Sequence, residues 1–268
     1  MFSRFLEAAA ALLMMAGVGQ AAELRVCADP DNLPFSNARG EGFENRIVEA
    51  VAKELSATVT YVWDAERRTT ALEILDKGRC DLVPGAIAGA PGVATTRPYM
   101  RSAYAFVLKG EGQGLAAGYD DPRLHHMRIG VQSVGDDALT PPVTALLRRG
   151  LGANIQPFTL HGTAADPNTS GAMVAAVASG TIDAAVLWGP FAGYYAARQQ
   201  TPLRVEIAAP RTADPQMSFA IAMAVRKQDV GLRDAVDRAL AARRTEIADI
   251  LAAYHVPLQP LDAAEVTP

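Results

Sequence analysis

Four carboxylates lie close together in this chain, Asp29, Asp31, Glu41 and Glu44, around the turn Asp29-Pro30-Asp31-Asn32. Paired carboxylates suit general acid–base chemistry when burial keeps a proton on one while the other stays ionised. An enzyme would need one such group set apart in a cleft with a raised pKa, and the spacing singles out none of the four. Gly-x-Ser-x-Gly is absent, and Ser133 in Gln132-Ser133-Val134 has no assignable base. His125 and His126 are adjacent, so on a strand they would face opposite ways and make a poor metal pair; beside Arg123 and Arg128 they read as surface. His161 and His255 are isolated. The sequence therefore assigns no catalytic residue, no metal ligand and no cofactor, and the chain reads as a non-enzyme.

Two further patterns carry weaker chemistry. Gly130-Val131-Gln132-Ser133-Val134-Gly135-Asp136-Asp137 sits between a strand and a helix, where backbone amides can hold an anion. It lacks the dinucleotide spacing, and a plain loop and cap is the simpler reading, with Asp136 and Asp137 as a polar rim. The doublets Arg67-Arg68 and Arg148-Arg149 read as solvated helix surface. Cys27 and Cys80 are the two cysteines, and their spacing matches no metal or redox motif.

Composition narrows the class. Of 268 residues half are apolar, enough for one large domain or two modest lobes, and the net charge of -4 argues against nucleic acid as a partner. Residues 1–22 have a basic start at Arg4, an apolar run through Leu12-Leu13-Met14-Met15 and a small-residue close at Ala21-Ala22, the form of a secretory signal. That run is short for a membrane span, so stable membrane insertion is not expected. An exported chain permits a disulfide.

The elements expected to position these residues alternate strand and helix. Leu24-Arg25-Val26-Cys27-Ala28 is a short buried strand opening into the Asp29 turn. Ile47, Val48, Val51 and Leu55 give residues 44–55 a helical period, and Thr58-Val59-Thr60-Tyr61-Val62-Trp63 is a second strand. A helix over 70–77 stops at Gly78, and Asp81-Leu82-Val83 is the third strand. In such a unit the first and third strands lie side by side, so a Cys27–Cys80 bridge is geometrically reasonable; two buried free thiols are the alternative. Strands follow at 102–109, 127–131, 155–158, 184–188 and 218–225. Helices are read at 141–149 behind Thr140 as cap, at 170–179, at 190–198, and in a tail from Asp229 to Pro257. The division expected is one lobe of 23–107 plus 219–258, a second of 108–218, and a frayed tail of 259–268.

In order along the chain, GRCDLVPG, RPYMRSAYAFVLKG, RIGVQSVGDD, SGTIDAAVLWGPFAGYYAAR and SFAIAMAVRK resemble the type II periplasmic solute-binding fold. That resemblance implies an α/β protein of two lobes, each a mostly parallel sheet flanked by helices. More narrowly, LRVCADPDNLPFSN with GEGFENRIVEAVAKEL, TTRPYMRSAYAFV, GDDALTPPVTALLRRG and IDAAVLWGPFAGYY resemble the MoxJ/XoxJ group, substrate-binding-like proteins associated with quinoprotein methanol dehydrogenases. The resemblance implies a periplasmic accessory protein. Its partner would be a PQQ-dependent methanol or alcohol dehydrogenase, with the dehydrogenase's cytochrome c as a further candidate.

The departures from the fold's amino-acid binders matter most. Those binders carry an Arg about nine residues before the Pro-Tyr pair, which forks onto the ligand carboxylate. Here the pair is Pro98-Tyr99, and Gly89 stands near the Arg position in a stretch, 85–92, without a charged residue. They also place an Asp after the strand that here reads Asp183-Ala184-Ala185-Val186-Leu187, where this chain has Trp188. A buried ammonium or carboxylate without a partner is costly, so an α-amino acid is a poor ligand. In place of ionic clamps the cleft is expected to offer Phe35, Tyr99, Trp188, Pro190 and Tyr194 as apolar contact surface, with Asp29 and Asn32 as hydrogen-bonders to backbone. The competing reading is that Phe35 and Trp188 only fill the lobes. The rival function is a transport receptor that delivers a small neutral or aromatic solute to a membrane permease.

Overall fold

A computed structural model describes residues 22–63, 71–110, 112–133, 139–159, 169–208 and 211–262. Residues 1–21 of the expected signal at 1–22, the Arg67-Arg68 doublet, residues 134–137 with Asp136 and Asp137, and His161 lie outside them. Strand β1 (Ala22–Ala28) leads into a small hairpin of β2 (Asp31–Asn32) and β3 (Ser36–Asn37), then helix α1 (Phe43–Glu54) and strand β4 (Ala57–Trp63). α1 forms because Ile47, Val48 and Val51 recur at helical spacing, and all three are fully buried. Its start is fixed by Asn45, whose Oδ1 accepts the Gly42 and Asn37 N–H groups at 3.1 Å each. Gly42 is required there, since a Cβ would lie 2.0 Å from the Phe35 carbonyl oxygen.

β1 and β4 pair in parallel, Ala22 opposite Ala57 through Ala28 opposite Trp63. After helix α2 (Ala71–Asp76), Leu82 bridges Val26 on the other side of β1, so the first and third strands are neighbours as expected. Cys27 and Cys80 are disulfide-bonded across that junction, their Cα atoms 5.6 Å apart. The third strand, β5 (Val83–Ile87), runs on through Pro84 and Gly85, further than turn chemistry predicts. The reason is a distant partner: Ile87 and Ala86 pair with Ile221 and Ala222.

A short strand β6 (Val93–Thr95), which the sequence did not signal, precedes the ten-residue β7 (Met100–Lys109). The second half follows with β8 (Ile129–Ser133), α3 (Pro141–Leu147), β9 (Ile155–Thr159), α4 (Thr169–Ser179) and β10 (Ala184–Trp188). α5 (Gly189–Ala196) and β11 (Leu203–Ile207) complete it, and β12 (Ser218–Arg226) returns to the first half. The expected helical tail is two helices, α6 (Val230–Ala242) and α7 (Arg244–Ala253), broken at Arg243. Thr140 does not cap α3 through its side chain; its hydroxyl donates to the Gln132 carbonyl at 3.1 Å.

Each half keeps a parallel core, β1 with β4 and β8 with β9 and β10, and two long antiparallel strands join them. The sheet order is β5-β12-β7-β10-β8-β9, with β11 also on β7 and β6 on β12. β7 pairs with β12 over residues 100–103 and with β10 over residues 104–108, so it changes partner between Ala103 and Tyr104. In the second half its side chains alternate between two apolar layers, Phe106 and Leu108 in one, Ala105 and Val107 in the other. Gln259, expected at the start of a frayed tail, donates its N–H to the Arg101 carbonyl at 3.0 Å, and Ser102 Oγ donates to the Pro257 carbonyl at 2.7 Å.

Candidate functional site

The carboxyl ends of parallel strands in open α/β sheets present ligand sites. Here those ends carry the Asp29 turn after β1, residues 88–92 after β5, Gln132 at the end of β8 and Trp188 at the end of β10. Asp29 shapes its own turn: Oδ1 accepts the Asp31 N–H at 2.8 Å, and its carbonyl accepts Ser36 Oγ at 2.7 Å. Asn32 lies in the hairpin, where its carbonyl accepts the Phe35 N–H at 2.8 Å.

Phe35 stands between the two halves. Its ring lies 5.0 Å from that of Phe43 at the start of α1 and 5.0 Å, edge on, from that of Phe191 in α5. Trp188 belongs to a second ring group, edge on to Tyr104 at 5.5 Å and to Phe219 at 5.8 Å. Both Phe35 and Trp188 are half-buried against the first core, so each fills space and presents a face. Tyr99 donates its hydroxyl to the Pro84 carbonyl at 3.2 Å, and burial holds that hydroxyl well above the usual tyrosine pKa.

Two expected contact residues are turned into packing. Pro190 is buried in the first turn of α5, where its ring suits the helical φ. Tyr194 is 8% exposed, stacked on Tyr254 with centroids 5.8 Å apart and covered by the Arg198 guanidinium at 3.4 Å. α5 is pressed close to the first half here: a Cβ on Gly193 would lie 1.8 Å from the His255 carbonyl oxygen. Tyr195 Oη donates to the Leu33 carbonyl at 2.9 Å.

The stretch 85–92 ends β5 and then turns on two left-handed glycines, Gly89 at φ +75 and Gly92 at φ +82, with Gly89 N–H donated to Thr95 Oγ1 at 3.1 Å. Ile87 projects from it half-exposed, at 50%. Among the described residues of the second half, the end of β8 adds a neutral polar group to the wall. Gln132 Nε2 donates to Ser170 Oγ at 3.0 Å, and Gln132 Oε1 receives the Trp188 N–H at 3.5 Å.

Of the four carboxylates considered first, the structure separates one. Glu44 leaves the first turn of α1, where its N–H donates to the Phe35 carbonyl at 2.9 Å, and is 8% exposed. Its Oε1 lies 2.3 Å from where a Cβ on Gly85 would stand, so the missing side chain of Gly85 makes room for the carboxyl. Burial pushes the Glu44 carboxyl up to about 8, whereas Glu41, hydrogen-bonded by Arg39 and Asn37, is held low.

Elsewhere Arg149 corrects the surface reading of its doublet. Its side chain is 13% exposed and forks onto Asp120 and Asp214, at 2.6 and 2.7 Å, while Arg148 remains exposed. His125 and His126 are exposed as expected, though in a 3-10 turn (Pro122–His126) rather than on a strand. Phe191, Phe43, Tyr104 and Phe219 complete the aromatic groups and were not singled out by sequence. Gly189-Pro190-Phe191, placed directly after Trp188, was the available signal.

The chain belongs to the family described as bacterial extracellular solute-binding proteins, family 3, which it matches over residues 24–256. It is 32% identical over 258 residues to Protein MoxJ of Methylorubrum extorquens, covering 90% of this chain and 83% of that one. Among solved structures, MxaJ from Methlophaga aminisulfidivorans superposes with a TM-score of 0.75 at 26% identity, covering 88% of this chain and all of MxaJ. The periplasmic binding protein XoxJ from Methylobacterium extorquens superposes with a TM-score of 0.73 at 31% identity, covering 89% of this chain and all of XoxJ. No helix among the described residues is long and apolar enough to cross a membrane.

Proposed function

We propose that this protein is a periplasmic accessory factor of a PQQ-dependent methanol or alcohol dehydrogenase, exported by a signal at residues 1–22 and without catalytic activity of its own. Its cleft, between lobes of 23–107 plus 219–258 and 108–218, receives an apolar segment of the dehydrogenase polypeptide and assists its maturation or activation. Likeness to MoxJ, MxaJ and XoxJ supports the setting.

One observation carries the choice of ligand. The two positions where amino-acid binders place opposite charges are Gly89, in an uncharged turn with Ile87 half-exposed beside it, and Trp188, half-buried with Tyr104 and Phe219. Those walls offer apolar and aromatic area without a tether for a zwitterion. The family's description as solute-binding favours the second reading, a receptor that hands a small neutral or aromatic solute to a permease.

Calorimetric titration separates the two. Binding of the apo-dehydrogenase, weakened by Trp188→Ala, with no heat from small neutral or aromatic solutes, is the expected result. A stoichiometric small molecule that co-purifies and occupies the cleft, with no binding of the dehydrogenase, overturns it.

A further inference from the structure

The Glu44 carboxyl has no role in the packing described so far. It is more than nine-tenths buried, yet no hydrogen bond from a described residue reaches its oxygens. Both cleft-lining segments of the first half touch this residue: Phe35 accepts its N–H, and Gly85, itself exposed, leaves the space that Oε1 enters. The carboxyl therefore lies at the wall of the cleft, and a Cβ at position 85 would close the approach to it.

The groups around it explain which form it takes. From the segment before β7 comes Tyr99, whose hydroxyl donates to the Pro84 carbonyl instead. From β4 comes Tyr61, whose hydroxyl donates to the Asn45 carbonyl at 3.4 Å. β5 contributes Gly85, which has no side chain, and the Asp29 turn contributes the Phe35 carbonyl, an acceptor. No cation enters the balance at Glu44, and desolvation alone raises its pKa to about 8. A carboxyl in that setting keeps its proton at neutral pH and carries one O–H donor, and none of the described side chains named here donates to it or pairs with it by charge.

We propose that Glu44 is the polar docking point of the cleft, a neutral acid that donates its O–H to a peptide carbonyl of the incoming polypeptide segment. The inference rests on the reading that the cleft takes a polypeptide. It adds what apolar walls cannot supply: a fixed point that sets the position of a chain bound through aromatic contact. A buried acceptor on the incoming chain is satisfied by that donor and left unpaired without it.

The test uses the full exported protein, with the apo-form of a PQQ-dependent methanol dehydrogenase as probe, in calorimetry at pH 7 and pH 9. Wild-type affinity should fall about tenfold over that interval, as the acid loses its proton through about pH 8. Glu44→Gln, whose amide still donates, should bind as wild type does at pH 7 and lose the pH dependence. Glu44→Ala should bind about fivefold more weakly at both pH values. Gly85→Ala, whose Cβ would meet Oε1 at 2.3 Å and so push the carboxyl aside as it fills the approach, should weaken binding as well. The infrared C=O stretch of a neutral carboxyl at pH 7, absent from Glu44→Gln, reads the protonation without any partner. Affinity that rises with pH would mean an ionised Glu44 taking a cation, and overturns the proposal, as does unchanged affinity in a folded Glu44→Ala. Failure of the wild type itself to bind the dehydrogenase overturns the polypeptide reading and this inference together, a pattern distinct from a defect confined to the variants.

Discussion

Replacing Glu44 by Gln should stabilise the fold by an amount that grows with pH. Gln has the same shape and does not ionise, so the variant removes only the cost of charging a buried carboxyl. In the folded protein that carboxyl titrates near about 8 against an ordinary value of 4.5. Each tenfold in proton affinity is worth about 1.4 kcal/mol, so the full cost is about 5 kcal/mol. The sign follows from proton counting. Below pH 4.5 both folded and unfolded chains hold the proton and nothing is lost. Between 4.5 and about 8 the unfolded chain releases it while the folded chain does not, so wild-type stability falls as pH rises. Above that the loss levels off. Urea unfolding of both proteins at pH 5, 7 and 9 should show the variant gaining on wild type by about 4 kcal/mol across the series. All other titrating groups are shared and cancel in the difference. A difference that does not change with pH, or a variant that loses ground as pH rises, would show that Glu44 is ionised and paired in the folded protein.

Removing both cysteines, Cys27→Ser with Cys80→Ser, frees a loop with a sequence separation of 53 residues and should lower the urea-unfolding free energy by about 4 kcal/mol. Reducing agent should then affect the wild type and leave the double variant unchanged. Arg149→Met leaves Asp214, with a side chain 4% exposed, the Arg211 N–H at 2.8 Å but not its guanidinium partner, and should cost about 3 kcal/mol at pH 7. Hydrogen bonds from Arg149 hold Asp214 below the usual carboxylate range, so this contribution is present at neutral pH and is lost as acid protonates the Asp; the Met variant should show a flatter acid limb. Gly193→Ala drives a Cβ to 1.8 Å from the His255 carbonyl, which forces α5 off the first half and should cost about 2 kcal/mol in thermal melts.

What could be read from the chain, and what could not, divides along contact distance. The β1–α1–β4–α2–β5 unit was legible because its signals are local: helical spacing at Ile47, Val48 and Val51, β-branched residues in β4, and Gly78 at φ +70 to end α2. The Cys27–Cys80 bridge was the reading that strand adjacency and export favoured over two free thiols, and it is present. The end of β5 did not, because Pro84 and Gly85 look like a turn until Ala222 and Ile221 arrive from β12 to pair with their neighbours. The same holds for β11, which is fixed by pairing with β7 and whose Glu206 accepts the Leu115 N–H at 2.8 Å. Arg148 and Arg149 look identical in sequence, yet in the turn past the end of α3 Arg148 stays exposed while Arg149 reaches Asp120 and Asp214. Glu44 is the sharpest instance. An acid in the first turn of a helix is ordinary, favoured by the helix dipole, and only Gly85 and Tyr99, brought in by the sheet, turn it into a buried one.

These long-range contacts also determine how the cleft works. α5 begins directly after Trp188 and so belongs by sequence to the second half, but its far side is held by the first. Phe191 meets Phe35, Tyr195 is hydrogen-bonded to Leu33, and Tyr194 stacks on Tyr254. α5 is packed into the second core as well, through Ala192 and Ala196, so a change in cleft width would have to break one set of contacts or the other. A segment bound against Trp188, directly before α5, would thus couple its own burial to those contacts. Its grip would come from the ring group of Trp188, Tyr104 and Phe219 and from the wall of Phe35 and Glu44.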